Sequence, residues 1–135
     1  AVLNCGHLPA EQIDVLVPAA IAAGVDRIVI SHPDFIVGAD PQCIGSWCRQ
    51  GAYVEHCLAM LVGRRATQPP VERIAEYLRE AGVGHTIFSS DLGQKGNPLP
   101  VTAFRRMVRA LLDAGTAEDD IRAMVGGNAG QLLLP

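Results

Sequence analysis

The sequence predicts an α/β fold built around a parallel sheet. Short apolar runs at residues 1–6, 26–31, 52–57 and 86–88 alternate with longer stretches whose apolar residues recur every three or four positions. Such alternation favours parallel strands joined by right-handed helical crossovers. The run Ile28-Val29-Ile30 contains no polar residue. Both of its faces are therefore predicted to be buried, as in a parallel sheet.

The composition is typical of one globular domain, or of part of one. The chain has 135 residues, of which 49% are hydrophobic and 19% are charged, unlike a disordered segment. Aromatic residues make up only 4%, so we expect a core of Val, Ile, Leu and Ala. The chain begins without Met inside an expected strand, and we expect further residues upstream.

Charge and cysteine usage argue against several classes of protein. The net charge is −3 and no basic cluster is longer than two residues, whereas nucleic-acid binding needs a basic face. No apolar run approaches the roughly 20 residues of a membrane span. The four cysteines form no C-x-x-C pair, and Cys5 and Cys57 lie in apolar runs, where we expect buried thiols. A reducing, cytoplasmic location is the expectation.

In the first half of the chain, residues 1–6 are predicted to form a buried strand, followed by a helix that begins near Pro9. Pro18 lies inside this helix and is expected to kink or divide it. A second helix is predicted at 41–50, weakened by Gly45. The apolar stretch 58–62 is left unassigned, and 64–68 is predicted to be a polar linker.

In the second half, Pro69-Pro70 is predicted to open a helix and residues 101–114 to form the next one. Thr116 is the expected N-cap of a helix at 117–125, which Gly126-Gly127-Asn128 should end. A last turn at 131–134 should dock its leucines on the core. The residues expected on buried helix faces are Ile13, Leu16, Val17, Ala20, Ile21, Ile74, Ala75, Leu78, Phe104, Met107, Val108, Leu111 and Leu112.

Three polar residues stand at the carboxyl ends of predicted strands: His7 and His32 follow their strands directly, and Asp91 follows the two serines that end the fourth. The carboxyl ends of parallel strands lie at one edge of a sheet, where ligands bind. Two imidazoles and one carboxylate are a common ligand set for a catalytic divalent metal with one open position. Such a metal lowers the pKa of its water to about 7, and Asp91 could accept the proton. Each residue alone also has a structural interpretation, since Asp91 could simply cap its loop.

Other polar residues are weaker candidates. Glu55 and His56 must point to opposite faces of their strand, so only one can face the site. His85 precedes its strand and is predicted to be structural. Glu55, Gln94 and Asn97 could recognise polar groups of a small-molecule substrate, although loop residues are polar by default.

These residues, in this order, resemble the C-terminal half of an amidohydrolase-superfamily barrel, and similar phrases occur in an uncharacterised amidohydrolase-like branch. Gly6-His7 matches the fifth-strand histidine of that family, Ser31-His32-Pro33 the sixth-strand histidine and Ser89-Ser90-Asp91 the eighth-strand aspartate. The tail MVGGNAGQLLL is similar to the family's ending. The family's His-x-His is not found in this chain.

The resemblance implies that residues 1–135 are the last four units, strands 5–8, of a (β/α)8 TIM-type barrel, plus C-terminal helices. It implies a sheet in sequential order with the main helices on one face. It further implies a metal-dependent hydrolase in which His7, His32 and Asp91 bind a divalent metal, with zinc favoured. Asp91 would be the catalytic proton acceptor during attack of activated water on a C–N, C–O or P–O bond.

Two alternatives stay open. The chain could be a non-catalytic half-barrel or interaction module whose partner is a missing N-terminal half-barrel or a second copy of itself. It could also be a metal-dependent lyase or decarboxylase, since the same metal and carboxylate would serve that chemistry.

Overall fold

The computed structural model describes residues 1–62 and 70–134. Its centre is a four-stranded parallel sheet in the order β1-β2-β3-β4. The strands are β1 (Leu3–Asn4), β2 (Ile28–Ser31), β3 (Tyr53–Cys57) and β4 (Thr86–Ser89). The predicted α/β class and the sequential order of the strands are therefore confirmed. The predicted linker at 64–68 lies outside the described residues.

Helices follow each strand. They are α1 (Ala10–Ala22), α2 (Pro41–Arg49), α3 (Leu58–Val62), α4 (Pro70–Ala81), α5 (Pro100–Asp113), α6 (Glu118–Arg122) and α7 (Asn128–Leu133). A 3-10 turn, Val83–His85, precedes β4, and a π-helical segment, Ala123–Gly127, joins α6 to α7. Within the described residues, no helix combines the length and apolarity that crossing a membrane requires.

The two faces of the sheet have different surroundings. One face, which we call the helix face, carries Ile28, Ile30 and Val54 and packs against the apolar sides of α1 and α2. Phe88 continues this face against α4 and α5. Every residue of β2 is buried, as predicted. The helices α1 and α2 cover one face, and on the opposite face Leu132 packs on Val29 while Ser31 is hydrogen-bonded to its neighbours.

The opposite face, which we call the front face, changes character along the strands. At its amino end, Val29 and Ile87 are buried under Leu132 of α7. At its carboxyl end, β3 carries the polar groups of Glu55 and Cys57 instead. The last turn thus docks as predicted through Leu132, while Leu133 is exposed. The front face is therefore apolar where α7 covers it and polar where the strands end.

Several sequence-based boundaries were wrong at the edge of the sheet. The strand expected at 1–6 is only two residues long and its Val2 is exposed, because β1 pairs with β2 on one side only within the described part of the chain. Pro18 does not divide α1, which runs unbroken through it. The stretch 58–62, left unassigned, is helix α3.

Helix faces were predicted well near their centres and wrongly at their borders. Ile13, Val17, Ile74, Met107 and Leu111 are buried as expected. Three residues that were predicted to be buried are exposed: Ile21, Ala75 and Leu112. Two residues that were not predicted to be buried are buried: Tyr77 and Ala103. Each helix packs against one side of the sheet and against neighbouring helices. The stripe of buried residues on a helix is therefore narrower than its stripe of apolar residues.

The predicted break at Gly126-Gly127-Asn128 is also wrong. The chain stays helical there, as a π-helical segment that continues into α7. The buried Asn128 donates from Nδ2 to the carbonyl oxygens of Val83 and Thr86, both at 2.7 Å. These bonds fix the C-terminal helices to the start of β4. The helix α6 begins after Ala117 rather than at the predicted N-cap Thr116.

Gly45 has a packing role in addition to its low helix propensity. A Cβ atom at this position would lie 3.0 Å from the backbone oxygen of Glu80 and 3.1 Å from its Cβ. The helices α2 and α4 therefore approach each other closely because residue 45 has no side chain.

We expect Gly45→Ala to destabilise the fold by about 1–3 kcal/mol, because overpacking outweighs the gain in helix propensity. The matched control is Gly130→Ala in α7, where a new Cβ meets nothing within 4 Å. This control should be neutral or slightly stabilising. Chemical denaturation of both variants measures the difference, and a Gly45→Ala chain as stable as the control would contradict the packing account.

Candidate metal site at the carboxyl ends of the strands

His32 follows the last residue of β2 directly. Its backbone N–H donates to the carbonyl oxygen of Glu55 at 3.1 Å, which extends the pairing of β2 with β3 by one residue. Its own carbonyl oxygen accepts from Ile36 and Val37, so the following loop folds back over it. The imidazole is buried, and its Nδ1 has no hydrogen-bond partner among the described residues.

Asp91 occupies the corresponding place two residues after β4. The preceding residue, Ser90, accepts from the backbone N–H of Ala59 at 2.9 Å, which ties the end of β4 to α3. The Asp91 side chain is exposed. It therefore stands at the solvent side of the same sheet edge at which His32 is buried.

His32 and Asp91 share an unusual backbone conformation. Their φ angles are +54° and +44°, and they are the non-glycine residues with positive φ among those described. This region costs an ordinary residue roughly 1 kcal/mol or more and is adopted more readily by His and Asp than by most residues. Strain of this kind concentrates at binding sites.

Cys57 is the third member of the cluster, and its sequence context predicted only a buried thiol. One ligand atom each from His32, Cys57 and Asp91 lies within 4.8 Å of the other two. The signal for this position was available: Cys57 is two residues after Glu55 on one strand, so both share a face. The expectation that Cys5 and Cys57 are buried is confirmed.

The environment of Cys57 keeps the sulfur protonated in the absence of a cation. Burial, together with the smaller effect of the negative charges of Glu55, Asp91 and Asp34, raises the pKa of the thiol to about 12. A contact of 3.1 Å between its Sγ and the Ser89 hydroxyl lowers the pKa. The carboxylates that disfavour a bare thiolate would favour a bound cation at the same place.

His7 lies beside the cluster. Its ring centroid is 5.1 Å from that of His32, at an interplanar angle of 59°. The side chain is exposed, in the turn after β1. The structure thus brings His32 and Asp91 together with Cys57 and places His7 against the His32 ring.

Glu55 faces the site and His56 does not, as predicted for consecutive strand residues. The Glu55 carboxylate accepts from the Ser31 hydroxyl, whose oxygen accepts from Asn4 Nδ2 at 2.8 Å. This chain of hydrogen bonds crosses β1, β2 and β3 on the front face. The His56 ring packs on the helix face, 5.2 Å from the Tyr77 ring.

The loop after β4 holds the other two substrate candidates. Gln94 donates from Nε2 to the Asp91 carbonyl oxygen at 3.0 Å, and its Oε1 accepts from Asn97 Nδ2 at 2.8 Å. Both side chains therefore shape the loop next to Asp91. His85 has the structural role predicted for it, with Nδ1 at 3.1 Å from the Ala52 carbonyl oxygen.

Comparison with known proteins gives one match. A model of a family of unknown function, DUF6282, matches residues 1–55. This is less than half of the chain and includes His7, His32 and Glu55, but neither Cys57 nor Asp91. No curated protein and no solved structure matches the chain.

The positive φ of Asp91 predicts an unusual order of stabilities. Asp91→Gly should be more stable than Asp91→Ala by about 1 kcal/mol, because only glycine adopts this conformation without a Cβ clash. Both variants lose the carboxylate, so the comparison isolates the backbone. Denaturant unfolding of the two proteins measures it, and equal stabilities would show that residue 91 is not held in the left-handed region.

Proposed function

We propose that this chain is part of a metal-dependent hydrolase of the amidohydrolase type, with a divalent metal, zinc, held by His32 and Asp91. The single observation that carries the proposal is the pair of left-handed residues at the ends of β2 and β4, an imidazole and a carboxylate aimed at one point. Backbone strain of this kind clusters at functional sites, which supports a binding role for both residues.

The side chains present fit such a metal. Imidazole nitrogen and carboxylate oxygen are both zinc ligands. The buried Nδ1 of His32 has no partner among the described residues, and a buried polar atom of this kind requires an explanation. The His7 ring lies tilted against the His32 ring, with centroids 5.1 Å apart, so His7 is a neighbour of the proposed ion on the solvent side. The exposure of Asp91 leaves room for water and substrate.

A zinc ion held by His32 and Asp91 would supply a water of lowered pKa and would polarise the bond to be cleaved. The residues of the chain perform the remaining tasks. Asp91, at the solvent side, is placed to accept the proton of the attacking water and to return it to the leaving group. The burial of His32 excludes water from one side of the site. The loop held by Gln94 and Asn97 fixes the Asp91 backbone.

Glu55 is the proposed contact to a small-molecule substrate. Its carboxylate is fixed by the Ser31 hydroxyl on the same face as Cys57. A fixed carboxylate beside the metal can orient a substrate N–H or O–H group by hydrogen bonding. Gln94 and Asn97 are hydrogen-bonded within the loop that carries Asp91, and we propose that they act on the substrate by shaping this loop.

The scaffold we propose is the last four units of a (β/α)8 barrel. Sequential parallel order supports it, as does a front face whose polar groups lie at the carboxyl ends of the strands. In such barrels the carboxyl ends of the strands form the active-site face. The remaining strands would pair with the free side of β1 and with β4.

A second candidate function is an interaction module. Among the described residues β1 pairs on one side only, which favours this function because an unpaired strand edge is a template for another chain. Its partner would be the missing half of a barrel or a second copy. A metal-dependent lyase would use the same site as the hydrolase, so only the identity of the products separates those two chemistries.

Zinc affinity tests the proposal directly. Calorimetric titration should show one zinc per chain, and both His32→Ala and Asp91→Asn should weaken binding at least about tenfold, or about 1.4 kcal/mol. Asp113→Asn, an exposed carboxylate paired with Arg109, and His85→Gln are the matched controls and should bind as the parent does. Hydrolysis of small esters, amides and phosphoesters should require added zinc and the complete barrel, and should be largely lost in the Asp91→Asn variant of that complete protein.

Two outcomes would contradict the proposal. If the parent chain binds no zinc, the interaction module is the better description. If the controls lose as much affinity as the site variants, the ion is bound elsewhere.

A further inference from the structure

We propose that Cys57 is a third protein ligand at this site, so that the metal is held by an imidazole, a thiolate and a carboxylate. The inference deepens the metal site proposed above and rests on it. Its basis is the position of one buried sulfur between the two other ligands. Its consequence is a preference for metals that bind sulfur.

The topology places Cys57 at the centre of the site. The strand β3 lies between β2 and β4, so its carboxyl end lies between the residues that follow those strands. Cys57 is the last residue of β3 and is paired with Ser89, the last residue of β4. Its side chain is 4% exposed. Few positions in a four-stranded sheet could contact both His32 and Asp91, and this is one of them.

The three candidate ligand atoms are close enough to bind one ion after a small shift. Tetrahedral zinc, with bonds of about 2.0–2.3 Å, places its ligand atoms about 3.3–3.6 Å apart. The three candidate atoms already lie within 4.8 Å of one another. Asp91 is exposed and can move toward the two buried groups.

Binding replaces the proton of the Cys57 thiol by the metal. The S–H bond breaks, the sulfur keeps the electron pair and forms the metal bond, and the proton leaves to solvent. Ser89, at 3.1 Å from Sγ, can donate its hydroxyl to the thiolate. Such a second contact orients a ligand and commonly changes metal affinity by about 10–100-fold. No oxidant or further reactant is needed.

A thiolate ligand determines which ions the site accepts. Sulfur favours zinc and its analogues cobalt and cadmium, whereas magnesium, calcium and manganese prefer oxygen ligands. The site should therefore bind zinc and cobalt at concentrations at which magnesium leaves it empty.

Cobalt spectroscopy tests the role of Cys57. The chain titrated with cobalt should show a near-ultraviolet charge-transfer band from sulfur to cobalt together with visible ligand-field bands. Cys57→Ser should lose the charge-transfer band and bind cobalt at least about tenfold more weakly. Cys43→Ser, a half-buried cysteine on α2, is the matched control and should keep the band unchanged.

Zinc absorption spectroscopy of the unsubstituted chain provides a second measurement that needs no variant. It should show one sulfur at about 2.3 Å beside lighter ligands at about 2.0–2.2 Å. Visible bands without the charge-transfer band, or a zinc shell without sulfur, would overturn the role of Cys57 and leave the His32–Asp91 site standing. A chain that binds neither ion overturns both proposals.

Discussion

The parallel pairing of β2, β3 and β4 is the constraint on which the geometry of the site depends. The register that places Ser31 beside Glu55 and Cys57 beside Ser89 also brings the three strand ends to one edge. His32 and Asp91 then leave the strands in the left-handed conformation. A shift of one residue in this pairing would move Cys57 and Glu55 to the helix face. The site and the sheet are therefore specified by the same hydrogen bonds.

The two faces of the sheet have different roles: one stabilises the fold, and the other carries the candidate site. The helix face carries the aliphatic core that stabilises the fold, and even His56 is enclosed there by aromatic rings. The front face is closed by Leu132 only at its amino end. Polar groups at its carboxyl end hold one another through Asn4, Ser31 and Glu55. This arrangement keeps a partly open polar site on a rigid base.

The sequence predicted the elements and the strand ends because both depend on local patterns. Alternating apolar runs predicted the parallel order, and the residues after them identified His32 and Asp91. The features that the sequence did not predict depend on contacts between residues distant in sequence. The role of Asn128 requires the carbonyl groups of Val83 and Thr86, 42 or more residues away. The packing role of Gly45 depends on its close approach to Glu80 in another helix.

Cys57 shows the limit of the sequence argument most clearly. In the sequence its one local signal is the position two residues after Glu55, which predicts a shared strand face but no metal ligand. Its relation to His32 and Asp91 appears only when the register of three strands is known. The metal roles of His7, His32 and Asp91 remain predictions, and the structure adds the geometry against which they can be tested.

The most direct test of the account is anomalous diffraction at the zinc edge from crystals of the chain grown with zinc. The account predicts one anomalous peak at the carboxyl edge of the sheet, bonded to His32 and Asp91 at about 2.0–2.2 Å. A zinc ion bound at another surface while these two side chains contact no metal would contradict it.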